Sequence, residues 1–141
     1  MRNVKERVEA EARVLEANHR FYRAFAAGDF DAMSRLWAER APSACLHPGA
    51  PLLVGRAAVL ASWRQILAES GGVDMVCRTP RVFLLGDSAF VTCLEANGQG
   101  PAHLVATNVF VLEDGAWRMV HHQAGPLSRA VPAAHSDPTL N

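Results

Sequence analysis

Long apolar runs are missing from this sequence, and so is any excess of charge of one sign. Nothing approaches the ~18 uninterrupted apolar residues of a membrane helix, so no spanning segment is expected. Lys plus Arg and Asp plus Glu number 14 each. No net field is therefore available to recruit nucleic acid or an anionic membrane, and neither is expected as a partner. Cysteine is scarce and odd in number. Cys45, Cys77 and Cys93 lie far apart inside apolar runs, a pattern of buried reduced thiols rather than of a disulfide framework. The N-terminal stretch MRNVKERVEAEARVLEANHR is charged throughout and has no apolar signal-peptide core, which together with the thiols points to a cytoplasmic location. Walker, HExxH, GxSxG and CxxC patterns are also absent, so phosphate transfer, zinc proteolysis and serine hydrolysis have no sequence support. The glycines of NGQGP mark a turn, because no helix follows them for a dinucleotide to use.

What is present is the composition of a globular domain: 141 residues, 50% hydrophobic and 20% charged. A chain of this length buries roughly 70% of its unfolded surface, enough for a genuine core. From Val4 the apolar positions Val4, Val8, Ala12, Leu15, Tyr22 and Phe25 follow helical spacing. Gly28 suits the left-handed end of that helix, and Asp29 can cap a second one carrying Met33, Leu36 and Trp37 on its inner face. Ser43 to Leu46 reads as a short strand running into the turn of CLHPGAPLLVG. Arg56 to Glu69 repeats Val59, Leu60, Trp63, Ile66 and Leu67 as a third helix, stopped by Ser70-Gly71-Gly72. Four strands are then expected at 73–85, 88–96, 102–112 and 116–124, joined by tight turns into an antiparallel meander. Helices first and a curled sheet afterwards make an α+β layout. A single domain is expected over 1–125, followed at 126–141 by a flexible or draping tail with three prolines. In the strand 102–112 both faces are apolar, which predicts that helices cover one and a second copy of the chain, in a homodimer, covers the other.

The segments FYRAFAAGDFDAMSRLWAERA, then HPG after a strand, LVGRAAVLASWRQIL, and NVFVLEDGAWRMVHHQAG resemble the nuclear transport factor 2-like superfamily, within it the SnoaL-like and ketosteroid isomerase-like group. The likeness covers roughly residues 10 to 125. It implies a cone-shaped α+β barrel, three helices packed on a strongly curved, mostly antiparallel sheet, with an apolar cavity open at one end. It also implies isomerases, dehydratases, hydrolases and cyclases on one side and binding or assembly modules on the other, so the fold does not choose the reaction. Against the isomerase pattern, the hydrogen-bonding tyrosine position falls on Phe21, with Tyr22 one step away. The proton-shuttling aspartate lines up with His47, allowing a two-residue insertion, and the protonated aspartic acid with Asn108. None of the three is kept, so no acidic hydroxyl or protonated carboxyl stands at those positions to bind an enolate.

His47 nevertheless offers a neutral imidazole where the fold's base would be; the alternative is a ring that caps a turn. Glu95 shares a strand face with Ala89, Val91 and Cys93. Inside the cavity it would be an acid of raised pKa orienting His47; otherwise it is an exposed acid at a strand edge. Asn108 lies on the Leu104, Phe110, Leu112 face and could donate to a substrate oxygen, or serve a structural hydrogen bond instead. In the last strand the alternation assigns Trp117, Met119, His121 and Gln123 to the cavity and Arg118, Val120, His122 and Ala124 to the opposite face. Tyr22, Phe25, Trp37, Trp63 and Phe110 complete the expected ligand wall. Neighbouring strand residues point apart, so His121 and His122 cannot grip one metal, and spacing gives no support to a His47, Glu95, His121 set. Neither metal nor cofactor is expected. The reading is a pocket protein for a small apolar, carbonyl-bearing molecule, as a cofactor-independent proton-transfer enzyme with His47 as base, Glu95 as its partner and Asn108 as donor. The rival is a non-catalytic ligand-binding or assembly module on the same cone.

Overall fold

Each of the first two helices begins where a side chain satisfies its free backbone groups. In the computed structural model, which describes residues 1–70 and 73–133, α1 spans Val4–Ala27. The Asn3 side-chain oxygen accepts from the Glu6 amide at 2.8 Å, and the Glu6 carboxylate accepts from the Asn3 side-chain amide at 2.9 Å. Gly28, at φ 66°, closes the far end in the left-handed conformation that a Cβ disfavours. Asp29 caps α2 (Phe30–Leu36) by accepting from the Ala32 amide. The buried stripe of α1 is not the expected one: Val4, Val8 and Ala12 are exposed and Leu15 is half-buried, while Ala10, Val14, Ala17, Phe21 and Ala24 form the inner face. Steps of four and three residues keep those five on one side of the helix, and Val4 and Val8 fall off it.

The strands are β1 (Ala44–Leu46), β2 (Leu53–Val54), β3 (Met75–Leu85), β4 (Ser88–Asn97), β5 (Ala102–Glu113) and β6 (Ala116–Val131), with α3 (Arg56–Ser70) between β2 and β3. They form one sheet in the order β2-β1-β6-β5-β4-β3. The antiparallel meander β3 to β6 is the one expected. The short β2, which the sequence reading did not assign, pairs with β1, and β1 joins the sheet parallel to β6, with Cys45 opposite His122. Trp37 lies just past α2 and bridges to Met119 rather than extending the helix. The connection from α2 to β1 is held by the Glu113 carboxylate, which accepts the amides of Glu39, Arg40 and Ala41 at 3.0 to 3.2 Å. The expected helix stop at Gly71-Gly72 lies outside the described residues.

Two features of β6 depart from expectation. It runs on to Val131, pairing Pro126 with Leu104 and Val131 with Ala102, so the domain extends past residue 125 and residues 126–131 belong to the sheet. The ladder partners required by the first residues of β5 account for the extension, and the proline sits beside a register shift, where a missing donor is tolerated. The rest of the expected tail, from residue 134, lies outside the described residues. The second departure is a bulge. Phe110 pairs with Met119 and Val109 with His121, leaving Val120 as an extra residue. The two-residue alternation therefore changes phase: Trp117 and Met119 point inward, then His122 and Ala124 do, while Gln123 is exposed and His121 turns to the Ala44 carbonyl. His121 and Gln123 are thus not on the inner face to which the alternation assigned them.

The inner side of the curved sheet, closed by α1 and α3, is filled with aromatic and sulfur-bearing side chains. Phe21, Met33, Trp37, Trp63, Phe110 and Met119 are all fully buried. Phe21 is the hub, in edge contact with Tyr22, Phe25 and Trp63 and tilted against His122 at 4.9 Å. Such clusters gain beyond simple area burial. Phe21→Ala is expected to cost about 3–5 kcal/mol in urea unfolding; a loss under ~1 kcal/mol would show that the cluster collapses without it.

Candidate active site

Five polar side chains meet inside this apolar packing, each delivered by a regular element. Asn18 and Tyr22 sit one turn apart on α1, Glu95 is near the end of β4, and Asn108 and His122 face each other across β5 and β6. All five are buried. The Asn108 amide donates to Asn18 Oδ1 at 2.8 Å and to the Tyr22 hydroxyl at 3.1 Å, while Asn108 Oδ1 accepts from His122 Nδ1 at 2.6 Å. Tyr22 donates its own proton to Glu95 Oε2 at 2.7 Å and lies 3.1 Å from the Cys93 sulfur. Asn18 donates to the Cys77 sulfur at 3.5 Å. The bulge at Val120 makes this chain possible, since without it His121 would face Asn108.

The charge state follows from the burial. His122 has its pKa pushed down to about 3, by burial first and by His47 and His121 second, so it is neutral with Nδ1 protonated toward Asn108. Burial raises Glu95, with the Tyr22 hydrogen bond opposing it. The 4.0 Å approach of His122 Nε2 to Glu95 Oε2 is accordingly a contact between groups that both resist charging, and not an ion pair. Tyr22 lies well above the ordinary phenol range, through burial and then the Glu95 charge. Cys45 is pushed up to about 12 by burial and is no nucleophile.

Glu95 also reaches the outside. It lines a recess of about 300 Å³ at the β4–β5 end of the sheet, with Met75, Ala96, Pro101 and Leu104 as its apolar wall. Oε2 is held by Tyr22. Oε1 has no donor among the described residues, yet it is not one of the sealed polar atoms without partners, which are Trp37 Nε1, Ser43 Oγ, Trp63 Nε1 and an Arg78 nitrogen.

His47 stands elsewhere. β1 carries it inward past Cys45, and its ring meets Trp63 edge-on at 4.8 Å and His122 at 6.3 Å. Its Nε2 is 2.7 Å from the Ser62 hydroxyl on α3, and burial lowers its pKa. The partner of His47 is thus Ser62, while Glu95 pairs with Tyr22. Asn108, expected as a substrate donor, spends both amide hydrogens inside the network. Of the expected ligand wall, Tyr22, Trp37, Trp63, Phe110 and Met119 are core, Phe25 is half-buried, Trp117 lines a groove on the helix side, and His121 and Gln123 line a shallow recess on the outer sheet face. Asn18 and Ser62 carry no expectation from the sequence, and His122, expected on the opposite face of the last strand, is buried on the inner one. Asn18 had a usable signal, as a lone amide within the stripe Val14, Ala17, Phe21.

Residues 14–128 match the SnoaL-like domain family. The chain belongs to that family. A provisionally assigned dehydratase of the NTF2-like family from Streptomyces avermitilis is 35% identical, with a TM-score of 0.77 over 86% of this chain and 98% of that one. A Thiobacillus denitrificans protein, provisionally assigned as a calcium/calmodulin-dependent protein kinase type II association domain, is 36% identical, with a TM-score of 0.67 over 79% and 93%. F-box protein SKIP8 of Arabidopsis thaliana is 32% identical over 79% of this chain but only 48% of its own length, so the SnoaL-like chain spans about half of that relative. No helix among the described residues is long and apolar enough to cross a membrane.

The buried histidine makes stability depend on pH. An unfolded histidine titrates near 6.5, above the folded value of about 3. The unfolded chain takes up this proton first as pH falls, so the stabilisation is whole above about 6.5 and is lost toward 3, with a slope of up to about 1.4 kcal/mol per pH unit. Glu95, raised on folding, acts oppositely: its contribution is whole below the ordinary carboxyl value and is lost as pH rises through its folded value. In urea unfolding across this range, His122→Gln is expected to remove the acid-side loss, and an unchanged slope in the variant would show that the ring is not held neutral.

Proposed function

We propose that this SnoaL-like chain binds a small, largely apolar carbonyl compound in the Glu95 recess and moves a proton on it without a cofactor, with Glu95 as both acid and base. The observation that carries this is the place of Glu95: a buried carboxyl whose Oε2 is fixed by Tyr22 and which borders the recess. With its pKa raised, the Glu95 carboxylate is a stronger base than an exposed one, and the proton it takes is held until it is returned. A carboxyl that takes a proton from the carbon beside a carbonyl and returns it to another carbon performs an isomerisation. Returned to a leaving β-hydroxyl, the same proton departs in water and the reaction is a dehydration. The assignment of the Streptomyces avermitilis relative supports the second. His47, expected as the base, is given no proton-transfer step here, because Ser62 engages its Nε2 and Glu95 faces the recess instead. Proton NMR in D₂O over a panel of small cyclic ketones and β-hydroxy ketones provides the test. The protein should accelerate exchange beside the carbonyl, and Glu95→Gln should lower the rate about 10²–10⁴-fold with the fold intact. Equal rates in the variant, or no acceleration of any compound, would favour the non-catalytic module.

We infer also that a second copy covers the outer face of the sheet. Phe83, Leu85, Val105 and Val131 are exposed there, and Phe83 stacks on Phe90 at 4.7 Å. Exposed apolar area of this kind is characteristic of an interface. The association-domain relative supports an assembling surface. Light scattering at micromolar concentration should give twice the 15.3 kDa chain mass, and Val105→Glu should return it to one. A single-chain mass for the unchanged protein would exclude the dimer.

A further inference from the structure

A second recess, remote from Glu95, has the composition of an anion site. It lies between α1, α2 and the start of β6, holds about 490 Å³, and has Leu36 and Trp117 in its wall. Arg20, Arg23, Arg35 and Arg118 line it with Asp29, and Glu16 and Asp114 lie near Arg20 and Arg118 outside the lining. The chain as a whole is neutral, with 14 basic and 14 acidic residues. Four guanidinium groups on one apolar recess are therefore a local concentration and not a sample of a basic surface. Two of the four are already engaged: Arg23 is paired with Glu16 at 2.9 Å, and Arg118 donates to the Arg35 carbonyl, which fixes it against the end of α2. Asp29 is occupied as a helix cap, accepting from the Ala32 amide. Among the described residues Arg20 and Arg35 make no ion pair. They stand on different helices, at opposite walls of the recess, with their donors uncommitted.

We propose that this groove binds an amphipathic organic anion, a carboxylate or phosphate head held by Arg20 and Arg35 with an apolar body laid against Leu36 and Trp117. The guanidinium fork suits either head, because both present paired oxygens at matching spacing. The volume is that of a small-molecule site, and too little for a partner helix. The site is independent of the Glu95 recess and of any reaction there.

The probe is 8-anilinonaphthalene-1-sulfonate, an anion on an aromatic body, with N-phenyl-1-naphthylamine as its uncharged counterpart. The anion should bind saturably with one site per chain and weaken as salt is raised. The double variant Arg20→Ala, Arg35→Ala should raise its Kd at least about tenfold, while circular dichroism and the urea midpoint stay unchanged. Octanoate or octyl phosphate should displace it, and the stronger competitor identifies the preferred head. The proposal is overturned if the double variant binds the anion as the unchanged protein does, if the uncharged amine binds as tightly, or if neither competitor displaces the probe. Should the double variant unfold, Arg20→Gln and Arg35→Gln tested singly carry the same comparison.

Discussion

The hydrogen bond from His122 to Asn108 is the constraint on which the rest of the interior depends. An amide buried among aromatic rings costs a few kcal/mol unless its hydrogen-bonding groups are satisfied. Asn108 satisfies Oδ1 with the His122 ring, which commits the two amide hydrogens to Asn18 and Tyr22. Tyr22, accepting from Asn108, then has its proton free for Glu95. Each member fixes the donor or acceptor role of the next, and the chain ends on a carboxyl with one oxygen committed and one not. A neutral histidine suits this arrangement better than a charged one would. An imidazolium with both nitrogens donating would draw a negative charge onto Glu95, and the low dielectric that raises the acid would then be working against an ion pair.

The packing accounts for why the proposed site lies at the edge of the cone and not at its centre. Aromatic residues are only 7% of the chain, yet Phe21, Phe25, Trp63, Phe110 and Trp37 gather on the inner face of the sheet with two methionines beside them. Side chains of that size fill the narrow part of the cone. Along β4 the inward positions shrink from Val91 to Cys93 and then become Glu95, where the aromatic packing gives way to the recess. His47 meets the Trp63 ring and the Ser62 hydroxyl, while Glu95 borders the recess. His122 approaches both, its ring 6.3 Å from that of His47 and its Nε2 4.0 Å from Glu95 Oε2.

What the sequence made legible follows from how local each signal is. The break at Gly28 and the cap at Asp29 depend on a few neighbouring residues, and α1 ends and α2 begins there. The alternation holds along β4 up to Glu95 and along β5 from Leu104, so Asn108 falls on the expected face and Glu95 on that of Ala89, Val91 and Cys93, buried and not at an exposed strand edge. The alternation of β6 is broken by one inserted residue, Val120, which is itself a good strand former and leaves no glycine or proline to mark the bulge. From that point every side-chain direction on β6 was exchanged, and His122 was assigned to the wrong side of the sheet. Pairings between distant elements were illegible for a different reason. Nothing local indicates that Ser62 on α3 will meet His47, or that Asn18 will meet Asn108 ninety residues later.

The separation of the acidic recess from the basic groove is itself a physical requirement of the reading. Leu104 borders the recess, and Leu112, at the other end of β5, pairs with Trp117 of the groove. Eight strand residues place the two roughly 27 Å apart along β5. An arginine within ~4–6 Å of Glu95 would lower its pKa by about 1–3 units and leave a weaker base for taking a proton from carbon. At several screening lengths, about 8 Å each at physiological salt, the guanidinium charges have no such effect across solvent. The apolar middle of the cone separates the two ends further, since only side chains without charge cross it. A carboxyl of raised pKa at one end is therefore compatible with cations gathered at the other, provided a packed aromatic core lies between them.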